Sequence, residues 1–263
     1  VGLVAIDLDG TLLTDQKQVS KRTVRALANL PARGVKVVIA SARPPRSVRH
    51  IYELLQLDTW QINYNGALIW DHPNLQVIHH QPMTPEVVNT IVQRARQVYP
   101  DCLVSCEIVD KWYTDRFDQT YTTETGRLFE PDLVAPLWMF LSQPVTKLML
   151  LGPIDMIDNL AELVSEEFPW VAVVRSDPEL IQITDAGVSK AAALHYVADA
   201  YGMPMNRVMA IGDAMNDVEM LQAAGYAVAM DNAHPSVKEV AHWVAPSNND
   251  HGVHAALVKF GLA

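Results

Sequence analysis

The chain has 263 residues, 49% hydrophobic and 19% charged, with a formal net charge of -10. That composition can fill one large apolar core or two smaller ones, while the acidic balance, with no local Lys/Arg cluster, argues against nonspecific binding to nucleic acid or acidic membranes. No run approaches the roughly 20 uncharged apolar residues of a membrane span, and the first residues lack a basic segment ahead of an apolar one, so a cytoplasmic protein is expected. Cys102 and Cys106 are the two cysteines. Without a C-x-x-C or a zinc-like ligand set they read as reduced structural thiols, with a disulfide or metal pair as the alternative.

Leu3 to Ile6 is apolar at every position, the pattern of a strand covered on both faces, and Val35 to Ala40 repeats it. Between them Ser20 is a plausible N-cap, Val24, Leu27 and Leu30 make an apolar stripe, and Gly34 suits a helix stop. This is a βαβ unit, so its strands are expected to be parallel. A second helix is expected from about Pro44 to Leu55, then a short strand near Ile62 and a turn at Asn63 to Gly66.

From Pro82 to Asp185 the pattern changes. Helices are expected at 85–99 and 154–168, strands at 103–109, 112–115 and 146–151, and a hairpin at 170–184; the stretch 120–141 receives no element. The earlier grammar then resumes, with a helix from Val188 to Tyr201, a strand at 207–213, a helix from Met215 to Ala224, a strand at 226–230, and helices near Val237 and His251. The reading is an α/β chain: residues 1–81 and 187–263 form a doubly wound, mostly parallel Rossmann-like core sheet. Residues 82–186 form an inserted α+β domain, hinged at Pro82 and Gly187.

Asp7 and Asp9 close the first strand. An ionised carboxylate buried there costs several kcal/mol unless compensated, although Asp also commonly caps turns. Ser41 and Arg43 follow the second strand, Lys190 opens a helix, and Asp213, Asn216 and Asp217 follow a later strand. Singly, these read as a turn hydroxyl, a solvated lysine and a capping pair. Ligands in open α/β sheets gather outside the carboxyl ends of the strands. Taken together, the residues supply carboxylates for a hard cation and a hydroxyl and ammonium for an anion, with no His or Cys ligand. The set fits Mg²⁺ with phosphate.

The ordered motifs DLDGTLL, IASAR, NYNGALI, GVSKAAAL and IGDAMNDVEML, with weaker closing matches in VAMDNAHPSVKEVA and DHGVHAAL, resemble the haloacid dehalogenase superfamily. The similarity is to its Cof-type sugar-phosphatase-like branch, with a C2-type cap inserted after the third core strand. The resemblance implies a Mg²⁺-dependent phosphatase in which Asp7 is the phosphorylated nucleophile and Asp9 the general acid and base. It also implies metal binding by the Asp7 side chain, the Asp9 carbonyl and the Asp213 side chain, with Asp217 nearby. Phosphate would contact the backbone at Leu8, then Ser41 with Ala42, Lys190 and Asn216. Ala42, Ala191 and Asp231 stand where the pattern commonly has Gly, and none removes a catalytic group.

Other positions keep two readings. Asn65 with Gly66 forms a turn or touches substrate, and Arg43 faces substrate or pins its loop. His79 and His80 alternate along a strand-like stretch and chelate poorly. Trp112, Tyr113, Tyr121 and Trp138 are core residues or line a substrate pocket. The expected substrate is a small phosphorylated metabolite: sugar phosphates first, then pyridoxal phosphate or flavin mononucleotide, selected by the cap acting as a lid. A phosphosugar mutase and a non-catalytic phosphometabolite-binding regulator are the alternatives, and the expected assembly is a monomer or homodimer.

Overall fold

The structure is a computed structural model and describes residues 1–117, 120, 121, 127 and 129–263. In chain order it begins β1 (Leu3–Asp7), α1 (Lys21–Ala28), β2 (Lys36–Ala40), α2 (Pro45–Leu55), β3 (Trp60–Asn63), β4 (Leu68–Asp71) and β5 (Gln76–His80). It continues α3 (Pro85–Val98), β6 (Leu103–Ile108), β7 (Lys111–Thr114), β8 (Leu133–Val134), β9 (Lys147–Leu151), α4 (Ile154–Glu167), β10 (Val171–Asp177) and β11 (Leu180–Asp185). The last part holds α5 (Lys190–Ala200), β12 (Val208–Gly212), α6 (Val218–Ala223), β13 (Tyr226–Met230), α7 (Pro235–Glu239), β14 (Trp243–Ala245) and α8 (Gly252–Lys259). Two compact units result, one of residues 1–78 and 189–263, the other of 79–188.

The first unit is built on a sheet of order β14-β13-β12-β1-β2-β3-β4-β5. Pairings from β14 through β3 are parallel, and β4 turns back antiparallel on β3. Every position of β1 and β12 is buried, which explains why these strands are apolar without alternation: helices cover both faces. On those faces α1 packs against α2 and α8, and α5 against α6.

The second unit has a sheet of order β10-β11-β9-β6-β7-β8, antiparallel except for the β7–β8 pair. α3 and α4 pack on one face through Val88, Ile91, Ile157 and Leu160 against Val104, Leu148, Leu150 and Ile181. Cys102 and Cys106 are free thiols buried in that core, and burial pushes the Cys102 thiol up to about 12. The opposite face carries a small cluster of Leu103, Trp112, Met149, Leu151 and Leu180. Beside it Lys147, Glu107 and Trp112 stand in one cross-strand row.

Some elements differ from the sequence reading. The helix expected between Ser20 and Gly34 ends at Ala28, and Pro31–Arg33 forms a separate 3-10 turn, because Pro31 lacks the N–H an α-helix needs and its ring crowds the preceding turn. The helix expected from Met215 starts as a 3-10 turn, Met215–Asp217, before α6. The strands β4 and β14 were not anticipated; three or four residues are too few to display a period. Of the unassigned stretch 120–141, residues 122–126 and 128 lie outside the described residues, and β8 and a turn at Leu137–Met139 occupy the rest. Among the described residues no helix is long and apolar enough to cross a membrane.

Candidate active site

Parallel strands put their carboxyl ends on one edge, and in the first unit β1 and β12 deliver Asp7 and Asp213 there. Asp7 is the last residue of β1 and is buried. Ser189 caps α5 by accepting from the Ala192 N–H, so Lys190 occupies the first helical position. Its Nζ donates to Asp7 Oδ1 at 2.5 Å and to Asp217 Oδ1 at 2.7 Å. Asp217 Oδ2 accepts the N–H groups of Asp213 and Ala214, both at 3.0 Å. The capping role available to Asp217 is therefore real, and its other oxygen still serves the cluster. Lys190 is 1% exposed, which overturns its reading as a solvated lysine.

Asp213 is held from the other side. Thr11 donates to Asp213 Oδ1 at 2.7 Å, and Asn232 Nδ2 donates to the Gly10 carbonyl at 2.8 Å. Gly10 has φ +80°, and a Cβ there would lie 2.3 Å from Asp213 Oδ2. The sequence reading placed neither Thr11 nor Asn232 in the site. The Thr directly after Asp-Gly was the available signal; Asn232 gave none.

One oxygen each from Asp7, Asp213 and Asp217 lies within 4.8 Å of the others, and Asp7 Oδ2 is buried without accepting a hydrogen bond. Burial and the charge of Asp217 push the Asp7 carboxyl well above the usual range against the pull of Lys190. Burial likewise raises Asp213, although Thr11 opposes it. Burial alone would lower Lys190, but Asp7 and Asp217 outweigh it and raise it. One ammonium does not balance three carboxylates. An all-oxygen donor set of this kind fits a hard divalent cation such as Mg²⁺.

Asp9 faces a different environment. Arg43 grips it through Nε to Oδ2 at 2.6 Å and Nη2 to Oδ1 at 2.5 Å, and Lys17 Nζ reaches Oδ1 at 2.7 Å. Burial raises its carboxyl, but Arg43 and then Lys17 outweigh that and hold it below the usual range. Its side chain is not among the gathered oxygens. Of the two readings for Arg43, the structure displays a residue that pins a carboxylate.

Around this edge the Leu8 side chain is fully buried and its carbonyl accepts from the Leu13 N–H at 2.9 Å. Ser41 Oγ accepts the Arg43 N–H at 3.1 Å, a turn-hydroxyl role, and the Ser41 carbonyl accepts the Asn65 N–H at 3.0 Å, with Ala42 half-buried between Ser41 and Arg43. Asn65 sits at φ 58° and accepts from Asn216 Nδ2 at 2.8 Å. The next residue, Gly66, has φ +110°, and a Cβ there would meet the Ser189 carbonyl at 2.3 Å, so the turn at 63–66 lies directly against the start of α5. Asp231 is exposed and paired with Lys238 at 3.2 Å.

In the second unit His80 Nε2 is 2.8 Å from Thr146 Oγ1. Trp112 is buried, Tyr113 stacks on Phe140, and Tyr121 packs on the small cluster. Trp138 is exposed and borders a groove of about 930 Å³ with Arg96, Asp115 and Leu137.

Residues 4–257 match the model of a haloacid dehalogenase-like hydrolase family. Over 256 residues the chain is 31% identical to a 5-amino-6-(5-phospho-D-ribitylamino)uracil phosphatase of Bacillus subtilis, covering 95% of this chain and 94% of the relative. It is 30% identical over 269 residues to a putative phosphatase of Streptococcus pyogenes, covering 100% and 99%. A haloacid dehalogenase-like hydrolase of Bacteroides thetaiotaomicron superposes with a TM-score of 0.88 at 25% identity, covering 98% of each chain. The match over residues 4–257 and the 31% identity across nearly the whole chain show that it belongs to the haloacid dehalogenase-like hydrolases.

Proposed function

We propose that the chain is a Mg²⁺-dependent phosphomonoesterase that works through a phosphorylated Asp7. The observation that carries this reading is the buried Asp7 carboxylate itself. One oxygen is held by Lys190 and the other accepts no hydrogen bond, beside Asp213 and Asp217. A carboxylate approaching a phosphate dianion meets about 4 kcal/mol of repulsion per unit charge pair at 4 Å and an effective dielectric of 20, so the attack requires cations. Asp7, the Asp9 carbonyl and Asp213, with Asp217 nearby, would hold Mg²⁺, which would supply that neutralisation when bound. Lys190 supplies the protein's share.

The reaction then divides between the residues. Asp7 attacks phosphorus as the ester P–O bond breaks, and Asp9 protonates the leaving alkoxide. Water next attacks the phosphoryl-aspartate and gives its proton to Asp9, releasing phosphate and restoring Asp7. Leu8, Ser41, Ala42, Lys190 and Asn216 bind the phosphoryl group, and Asn65 and Arg43 border it. Positioning by rigid strand ends provides the remaining rate enhancement.

The substrate in this reading is a small phosphorylated metabolite with a polyol leaving group, sugar phosphates above all, selected by the inserted unit. The substrate in the name of the B. subtilis relative, a phosphoribityl chain on a heterocycle, is consistent with this class.

The test is phosphate release from sugar phosphates, nucleotides and phosphorylated cofactors with Mg²⁺ and with EDTA. Mg²⁺-dependent release that disappears in Asp7→Asn supports the reading. Isomerised phosphosugar without free phosphate would replace it with a mutase, and ligand binding without turnover with a regulator.

A further inference from the structure

Two cations meet on one carboxylate beside the gathered oxygens. Arg43 binds Asp9 with Nε and Nη2 at 2.6 and 2.5 Å, and Lys17 adds a third contact at 2.7 Å. If Asp9 is the proton donor of the phosphatase reading, this arrangement has to open during the cycle. A carboxyl oxygen that gives its proton to a leaving alkoxide cannot at that moment accept from two cations. Something must draw a cation away, and the anion that arrives at that point is the substrate's phosphate.

The two cations differ in freedom. Arg43 is 14% exposed in its side chain, whereas Lys17 is 50% exposed and carries its charge on a flexible four-carbon stem. The turn beneath Lys17 is fixed. Thr14 N–H donates to the Gln18 carbonyl at 2.9 Å, Lys17 N–H donates to the Thr14 carbonyl at 2.8 Å, and Lys17 itself sits at φ 58°. Asp15, in the same turn, is tied by Asn249 Nδ2 at 2.8 Å and Asn248 Nδ2 at 3.1 Å. A rigid base with a mobile ammonium suits transfer of one charge contact over a short distance.

We propose that Lys17 is a phosphate-binding residue held on Asp9 until substrate arrives: the incoming dianion takes the Lys17 ammonium, and Asp9 is thereby partly unclamped for proton transfer. This rests on the phosphatase reading. Once Lys17 has left, Asp9 takes a proton from solvent; the Asp7–phosphorus bond then forms, the ester P–O bond breaks, and that proton goes from Asp9 to the departing oxygen. The quoted sequence motifs do not include Lys17.

The experiment is calorimetric titration of the full chain with inorganic phosphate in excess Mg²⁺, for the wild type, Lys17→Met, Asp9→Asn and the double variant. Lys17→Met is expected to raise the phosphate Kd about fivefold, and Lys17→Arg, which keeps the cation, to stay within about twofold. Asp9→Asn removes the competing anion and is expected to tighten phosphate binding. That tightening should shrink at least about threefold when Lys17 is already Met, since the two residues compete through one contact. An unchanged Kd in Lys17→Met, or fully independent effects in the double variant, overturns the proposal. If the wild type neither binds phosphate nor releases it from any ester in the panel, the phosphatase reading falls and this inference with it. If the wild type does both and Lys17→Met behaves identically, only this inference falls.

Discussion

Lys190 is the residue on which the local charge balance turns, because it is the ammonium that touches both Asp7 and Asp217. Removing one partner from a buried ion pair typically costs about 3–5 kcal/mol, since the charge left behind is uncompensated. Lys190→Met is therefore expected to lose roughly that much stability in urea unfolding with EDTA, and less with Mg²⁺; equal losses in both buffers would separate the carboxylates from the metal. Asp7 behaves in the opposite sense. Its folded carboxyl is raised, so its contribution is fully present below the ordinary carboxylate pKa and is lost as pH climbs through the raised value. An amide cannot ionise. Asp7→Asn should thus gain stability relative to the wild type in EDTA as pH rises above the ordinary carboxylate range, while turnover falls by more than about a thousandfold.

The elements explain why the site residues meet. β1 ends at Asp7 and the chain turns at Gly10, where φ +80° and the nearby Asp213 carboxylate leave no room for a side chain. Gly10→Ala is expected to destabilise the fold by more than about 1 kcal/mol and to lower phosphate release by displacing Asp213. Wild-type melting and activity in that variant would refute the close approach. The first helix was legible because its cap and apolar stripe were present, with Ser20 before α1, whereas the Ser189 cap of α5 came only with the structure. Helix ends were less legible: a proline one turn on stopped α1 early, and the Asp217 carboxylate drew the start of α6 into a tighter turn. These are competitions between local hydrogen bonds, which an apolar period does not register.

At the scale of the molecule, the two units each have an apolar core of their own, and the three gathered carboxylates belong to the first. Mg²⁺ at ten times its Kd would add about 1.4 kcal/mol to the unit that binds it. The expected result in calorimetry is a transition of the first unit that rises by a few degrees with Mg²⁺, and a transition of the second that does not move. A metal shift confined to the second unit would remove the carboxylate cluster as the binding site.

The sequence by itself determined the α/β class and the ordered motifs that place the chain in its family, and it offered the inserted segment and the site residues as expectations. Apolar periods, strand-end carboxylates and ordered motifs are local properties, and a chain displays them without being folded. Only the tertiary structure decided the pairing of polar groups: that Lys190 serves both Asp7 and Asp217, that Thr11 holds Asp213 while Asn232 holds the Gly10 carbonyl, and that Arg43 and Lys17 meet on Asp9. These partners come from up to 222 positions apart, as Asn232 and Gly10 do. Which cation reaches which carboxylate depends on where strand ends and turns place them in space, and a linear pattern of residues carries no such distances.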